Sequence, residues 1–224
     1  MTNLSTFLLR TAFVLILPEV TRVLLVPVPV PVDIRVPQAG RSEFIVKKGT
    51  DTIAVELFSR DAESLTSEIY QTNGPRTQYT LNLRPDSSVS HVELTRQNRA
   101  GGTAGISVHF TPALVSAQFS AGGQSEKAEF APQGKSTPFL AVSFALAEQI
   151  VQASHLKLGQ SLKLTAVRLG AGDTATLTVN RFHADSASLS MPDVELRVAL
   201  SPTGEVVGGR HVGQNWTVER KSAK

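Results

Sequence analysis

From residue 41 onward, apolar and polar positions alternate with a period of two. Phe44 and Val46 are flanked by Glu43, Ile45 and Lys47, and Ile53, Val55 and Leu57 alternate with Thr52, Ala54 and Glu56. Leu65 and Ile69 follow, and then Tyr79, Leu81 and Leu83 alternate with Thr80 and Asn82. Val92 and Leu94, then Ile106, Val108 and Phe110, then Val115, Ala117 and Phe119, then Ala128 and Phe130 continue the pattern. Successive side chains of a strand point to opposite faces, so this alternation predicts strands with one buried and one wet face. Turn chemistry separates them. Asn73-Gly74 suits a two-residue hairpin whose central positions both need positive φ. Lys48-Gly49-Thr50-Asp51, Arg84-Pro85-Asp86-Ser87, Gly101-Gly102 and Ala121-Gly122-Gly123 supply further turns. About eight antiparallel strands are expected before residue 131.

The pattern resumes at Leu162, Leu164 and Ala166, and continues with Ala175, Leu177 and Val179 across the Gly170-Ala171-Gly172-Asp173 turn. Val194, Leu196, Val198 and Leu200 form the cleanest alternation, and Ser201-Pro202-Thr203-Gly204 turns the chain into Val206-Val207. Trp216 and Val218 belong to the last strand.

Between these meanders the period changes to that of a helix. Phe139, Val142, Leu146, Ile150 and Ala153 form one stripe, and Leu140, Phe144, Ala147 and Val151 form a second beside it. Ser136 and Thr137 suit a helix start and Pro138 its first turn, while no Gly or Pro follows until after Lys157. The spacing predicts a helix over 137–156 with an apolar face too wide to stand uncovered. The expected fold is mainly β (α+β): a strongly curved antiparallel sheet or half-barrel of about 11–13 strands wrapped around this one central apolar helix.

Composition sets limits on function. The chain has 224 residues, 41 % of them hydrophobic and 18 % charged, with a net charge of +3. No run of Lys or Arg exceeds two residues, so nucleic acid is not expected as a partner. The absence of cysteine excludes disulfides, thiolate metal sites, a Cys nucleophile and a lipid-modified N-terminal Cys. Residues 1–40 differ in texture: an apolar run at 11–17 ends at Pro18 and Glu19, and a Val-Pro alternation fills 27–32. This stretch reads as a signal-like leader and extended spacer, too short and too broken for the ~20 residues of a spanning helix. The expected organisation is a leader at 1–40, one β-rich domain at 41–220 and a frayed tail at 221–224. Export to the periplasm or cell envelope of a bacterium is the corresponding localisation.

Candidate chemistry is sparse. Gly170-x-Gly172-x-x-Ala175 imitates a dinucleotide fingerprint, but a strand follows the glycines where that motif needs a helix start, which makes it a glycine turn. Ser154-His155-Leu156-Lys157 has the Ser-x-x-Lys spacing of penicillin-binding enzymes without their companion motifs, and it reads as a solvated last helical turn. His91, His109, His155, His183 and His211 include no His-x-His or His-x-x-x-His pair; they are assigned to the wet face or strand ends, with a metal site from scattered strand histidines as the alternative. Glu43, Glu56, Glu68, Glu93 and Glu195 fall mostly on the polar phase of their strands and are expected in solvent, with a pair meeting across strands as the alternative. No catalytic residue, metal site or cofactor is assigned.

The order of leader, strand meander, apolar segment opening Ser136-Thr137-Pro138-Phe139-Leu140, and second meander ending Trp216-Thr217-Val218-Glu219-Arg220 resembles an exported bacterial β-rich domain family of uncharacterised function. It is also similar in plan to the lipoprotein-carrier (LolA/LolB-like) half-barrels. That resemblance covers residues 41–220 and implies acyl chains held between sheet and helix, although the carriers have several helices. The leading expectation is therefore a non-enzymatic binding module for an apolar small molecule or lipid. Phe139, Val142, Phe144, Leu146, Ile150 and Trp216 are its candidate ligand-binding residues. The alternatives are a fully packed structural or interaction domain with an envelope protein partner, and, third, an enzyme assembled from dispersed His and carboxylates.

Overall fold

The computed structural model describes residues 41–222. The leader and spacer expected at 1–40 lie outside the described residues, as do the last two residues of the expected tail. The first meander runs β1 (Ser42–Lys48), β2 (Asp51–Arg60), β3 (Ser64–Gln71), β4 (Arg76–Leu83), β5 (Val89–Gln97), β6 (Thr103–Phe110), β7 (Val115–Ala121) and β8 (Gln124–Phe130). After β9 (Ser136–Phe139) and the helix α1 (Phe144–Ser154), the second comprises β10 (Ser161–Arg168), β11 (Asp173–His183), β12 (Ser186–Met191), β13 (Val194–Leu200), β14 (Val206–His211) and β15 (Trp216–Ser222). All fifteen strands join one open sheet in the order β8-β7-β6-β5-β4-β3-β2-β1-β15-β14-β13-β12-β11-β10-β9. The first and last strands meet in its middle, with Val46 opposite Val218. Every pairing is antiparallel except β9 with β10. β15 extends through Lys221 and Ser222, which pair with Glu43 and Ser42, so the strand reaches into the expected tail.

Two expectations are corrected. The strand count exceeds 11–13, because β9 and the serine-rich β12 carry little alternation of their own. The helix is shorter than 137–156 and starts later. Thr137, Pro138 and Phe139 lie in β9, at the sheet edge, where a proline costs no ladder hydrogen bond. Ser143 is the true N-cap: its backbone is extended, and its Oγ accepts from the Leu146 N–H at 3.1 Å. His155 closes the helix in the left-handed region at φ 48°.

Helix and sheet are joined by buried charge. Glu56 of β2 is fully buried, contrary to its expected place in solvent. Its position follows from register: Glu56 pairs with Phe44 and Ile69, both core residues, so it shares their face. The carboxylate lies at the N-terminus of α1. Oε2 accepts from the N–H groups of Phe144 (2.7 Å) and Ala145 (3.1 Å). Oε1 accepts from the hydroxyls of Ser143 (2.6 Å), Ser67 (2.8 Å) and Tyr79 (3.1 Å). The helix thus begins with its free N–H groups and positive dipole end on an acidic side chain. Burial raises the Glu56 pKa, against the opposing pull of these hydrogen bonds.

A second buried carboxylate fixes the other side of the helix. Glu148 accepts from the Val206 N–H (2.6 Å) and from Arg220 Nη1 (2.7 Å). Arg220 also donates to Val206 O and Ser42 Oγ, both at 3.1 Å. Its guanidinium lies over Phe44 and Phe58, whose rings stack with centroids 5.1 Å apart. From the same helix, Phe144, Leu146 and Ile150 are buried in the core. Phe144 leans on the backbone of β14, where a Cβ on Gly209 would stand 3.2 Å from its ring and 2.6 Å from Arg197 O.

Replacing Glu56 by Ala strands two buried helix N–H groups, so denaturant unfolding should show a loss on the order of 3 kcal/mol or more. Glu56→Gln should lose less, because the serine and tyrosine hydroxyls can rotate to accept from its amide. The folded pKa of Glu56 stands above its ordinary 4.5, so between those values the folded state holds the extra proton. The stability advantage of the native chain over Glu56→Gln should accordingly be greatest below pH 4.5 and shrink as pH rises towards neutrality. Gly209→Ala should lower the thermal midpoint by several degrees, since backbone lies on one side of the new methyl and the Phe144 ring on the other.

Candidate functional site

The expected ligand residues all belong to one hydrophobic core or pack against it. Phe139, Phe144, Leu146 and Ile150 are packed in the core at 3 % exposure or less, and Val142 and Trp216 are partly buried against it. Trp216 stands on β15 in the middle of the sheet, edge-on to His211 at 5.1 Å, whereas Phe139 belongs to the edge strand β9. Of the six, Ile150 lines a cleft in the surface.

That cleft has a volume of about 450 Å³ and lies along the C-terminal half of α1. Ile150, Ala153 and Leu164 form part of its wall, and Val89 and Phe110 extend the apolar surface from β5 and β6. Its rim is polar, with Arg84 and Asp86 from the β4–β5 turn and Lys135 from the approach to β9. Arg84 fixes two strand ends at once: Nη1 donates to Val89 O at 2.6 Å, and Nη2 donates to Phe110 O. Asp86 accepts from the N–H (3.0 Å) and hydroxyl (2.6 Å) of Ser88, and these bonds hold its pKa below the usual carboxylate range. His155 Nε2 lies 3.1 Å from Asp86 O, tying the helix end to the same turn. On the inner wall the buried Gln149 donates from Nε2 to Ser87 O, while its Oε1 has no partner.

The cleft is the size of a small-ligand pocket, apolar inside with a few fixed polar groups. Its components were visible in the sequence only as a turn, a loop and two polar helix positions. Nothing in their spacing announces that they meet.

The other candidate groups hold structural places. Ser154 Oγ donates to Val151 O at 2.6 Å, which commits the serine of the Ser-x-x-Lys spacing to the helix backbone. Gly172 sits in the β10–β11 turn at φ 72°, ahead of a strand. Glu68 accepts from Arg76 and Gln78 on the sheet's outer face. Among the described residues no group of three or more His, Cys, Asp or Glu side chains is arranged to hold a metal ion, and no helix is long and apolar enough to cross a membrane.

No protein-family model and no curated protein sequence matches the chain. Among solved structures, the chain is similar to a DUF1089 family protein from Pseudomonas aeruginosa, with a TM-score of 0.53 and 11 % sequence identity. The alignment covers 72 % of this chain and 91 % of that one. At that identity the likeness is one of fold: a β-rich domain of the same broad plan.

Proposed function

We propose that this domain is a non-enzymatic binding module that holds an apolar or amphipathic small molecule, such as a lipid chain, beside α1. In this reading the sheet curls round the helix as a half-barrel, on the plan of the lipoprotein carriers, and the protein works after export to the cell envelope. The cleft carries the reading. It offers an apolar interior next to a rim bearing Arg84, Lys135 and Asp86, which suits a chain with a polar end. Ile150, one of the helix residues expected to touch ligand, lines this cleft, and Phe144 and Leu146 are buried in the core.

An enzyme has less in its favour. The most enclosed carboxylate, Glu56, spends both oxygens on the helix start and neighbouring hydroxyls. A protein-interaction domain remains the second reading and rests on β8. Residues 124–129 are exposed, and β8 is the terminal strand of the described sheet.

Native mass spectrometry after expression in an exporting bacterium, followed by lipid extraction, tests the proposal. The expected result is a reproducible bound mass released by organic solvent, with uptake of a fluorescent fatty-acid probe by the emptied protein. Ala153→Trp, which fills the cleft from its half-exposed wall, should cut probe affinity at least about tenfold while leaving the thermal midpoint nearly unchanged. A clean apo mass without probe uptake, or equal binding by Ala153→Trp, would overturn it.

A further inference from the structure

On the face of the sheet away from the core, β5 and β6 bring two histidines together that are eighteen residues apart in sequence. His91 and His109 are directly opposed in the β5–β6 register, next to the core pair Val92 and Val108, which faces the other way. Their Nδ1 atoms lie 3.0 Å apart and their rings stand edge to face, with centroids at 4.0 Å. The far nitrogen of His91, Nε2, is 2.6 Å from Glu93 Oε1, and Ser107 Oγ donates to that same oxygen at 2.7 Å. Glu93 and Ser107 are the next opposed pair along the same face.

We infer that His91 and His109 form a two-imidazole site for a borderline divalent transition metal, with Glu93 as the positioning residue for His91. The distance fits. Imidazole nitrogens about 2.0–2.1 Å from one ion, at an angle between square and tetrahedral, stand about 2.9–3.4 Å apart. The tautomer fits as well. A proton held on His91 Nε2 by Glu93 leaves the Nδ1 lone pair facing His109, which is the carboxylate–histidine arrangement that orients metal-bound imidazoles. In the metal-free protein the short Nδ1–Nδ1 contact needs a proton between the rings, supplied by His109. An incoming ion takes the place of that proton, which moves to His109 Nε2 as the ring changes tautomer and frees the Nδ1 lone pair for the ion.

Glu93 addresses the nitrogen remote from His109, so it belongs behind His91 and not on the ion. Water completes the coordination on this open face. Two imidazoles and water favour Cu(II), with Zn(II) and Ni(II) weaker in the usual order of divalent ions. The neighbouring positions across the sheet are Asn82 beside His91 and Ser116 beside His109, and beyond Ser116 stands Glu129. None of these is cationic. The site is independent of the cleft, and the two proposals stand or fall separately.

Titration of the full chain, freed of any affinity tag, with Cu(II) alone tests the inference. One equivalent should bind with two imidazole nitrogens in pulsed electron paramagnetic resonance. His91→Ala and His109→Ala should each weaken this binding at least tenfold while leaving far-ultraviolet circular dichroism unchanged, because both rings lie on the outer face. If an alanine variant fails to fold, His91→Gln and His109→Gln carry the same comparison. Glu93→Gln should keep both nitrogens in the spectrum and weaken affinity roughly tenfold or more. Native-like titration by either histidine variant, or fewer than two coordinated imidazoles, would overturn the site. Unchanged affinity in Glu93→Gln would overturn the part assigned to Glu93.

Discussion

The helix of this protein begins on a buried carboxylate. An eleven-residue helix is marginal alone, and its first N–H groups find no partner within the helix. Glu56 meets both needs by crossing from the second strand to the helix start and taking two of those N–H groups. The charge is costly to bury, which is why Ser67, Tyr79 and Ser143 all aim hydroxyls at it. The rest of the core depends on that placement. Once the N-terminus of α1 is fixed over β2, Phe144 meets Phe44 and Gly209, and Glu148 reaches Arg220 and the start of β14.

Most of the sheet could be read from alternation because most strands have one apolar phase and one polar phase. β4, with Thr77, Tyr79 and Leu81 inward, is of this kind in its second half. β2 is not. Both its phases contain apolar residues, and Ile53, Val55 and Leu57 outweigh Ala54, Glu56 and Phe58 by sequence alone. The pairing with β1 decides otherwise, because Phe44 and Val46 fix the inner face and draw in their partners Glu56 and Ala54. A shift of one residue exchanges every side chain of a strand between faces, so that single phase hid the residue on which the helix depends.

The helix start was obscured for a related reason. Ser136-Thr137-Pro138 and Ser143 are both credible beginnings by local chemistry, and only the parallel pairing of β9 with β10 selects the second. The cleft was less legible still. Arg84, Asp86, Lys135 and Gln149 come from separate turns and a helix, and their proximity is a property of the finished sheet. The two histidines on β5 and β6 were legible only as residue types. Their separation in sequence gave no motif, and the hairpin register made them neighbours.

The seam between β1 and β15 bears on how the chain is made. Each meander consists largely of hairpins between neighbouring segments, which can form as soon as both strands have been synthesised. The seam joins Ser42 to Ser222, and its flanking ion pair, Lys47 with Glu219, spans 172 positions. Until the last strand leaves the ribosome, β1 has β2 on one side and nothing of its native partner on the other. Throughout that interval it presents an open edge carrying Phe44, Ile45 and Val46, and Arg220 is not yet there to cover the Phe44–Phe58 stack. The order of synthesis therefore makes β15 both the last strand to arrive and the one that seals the middle of the sheet.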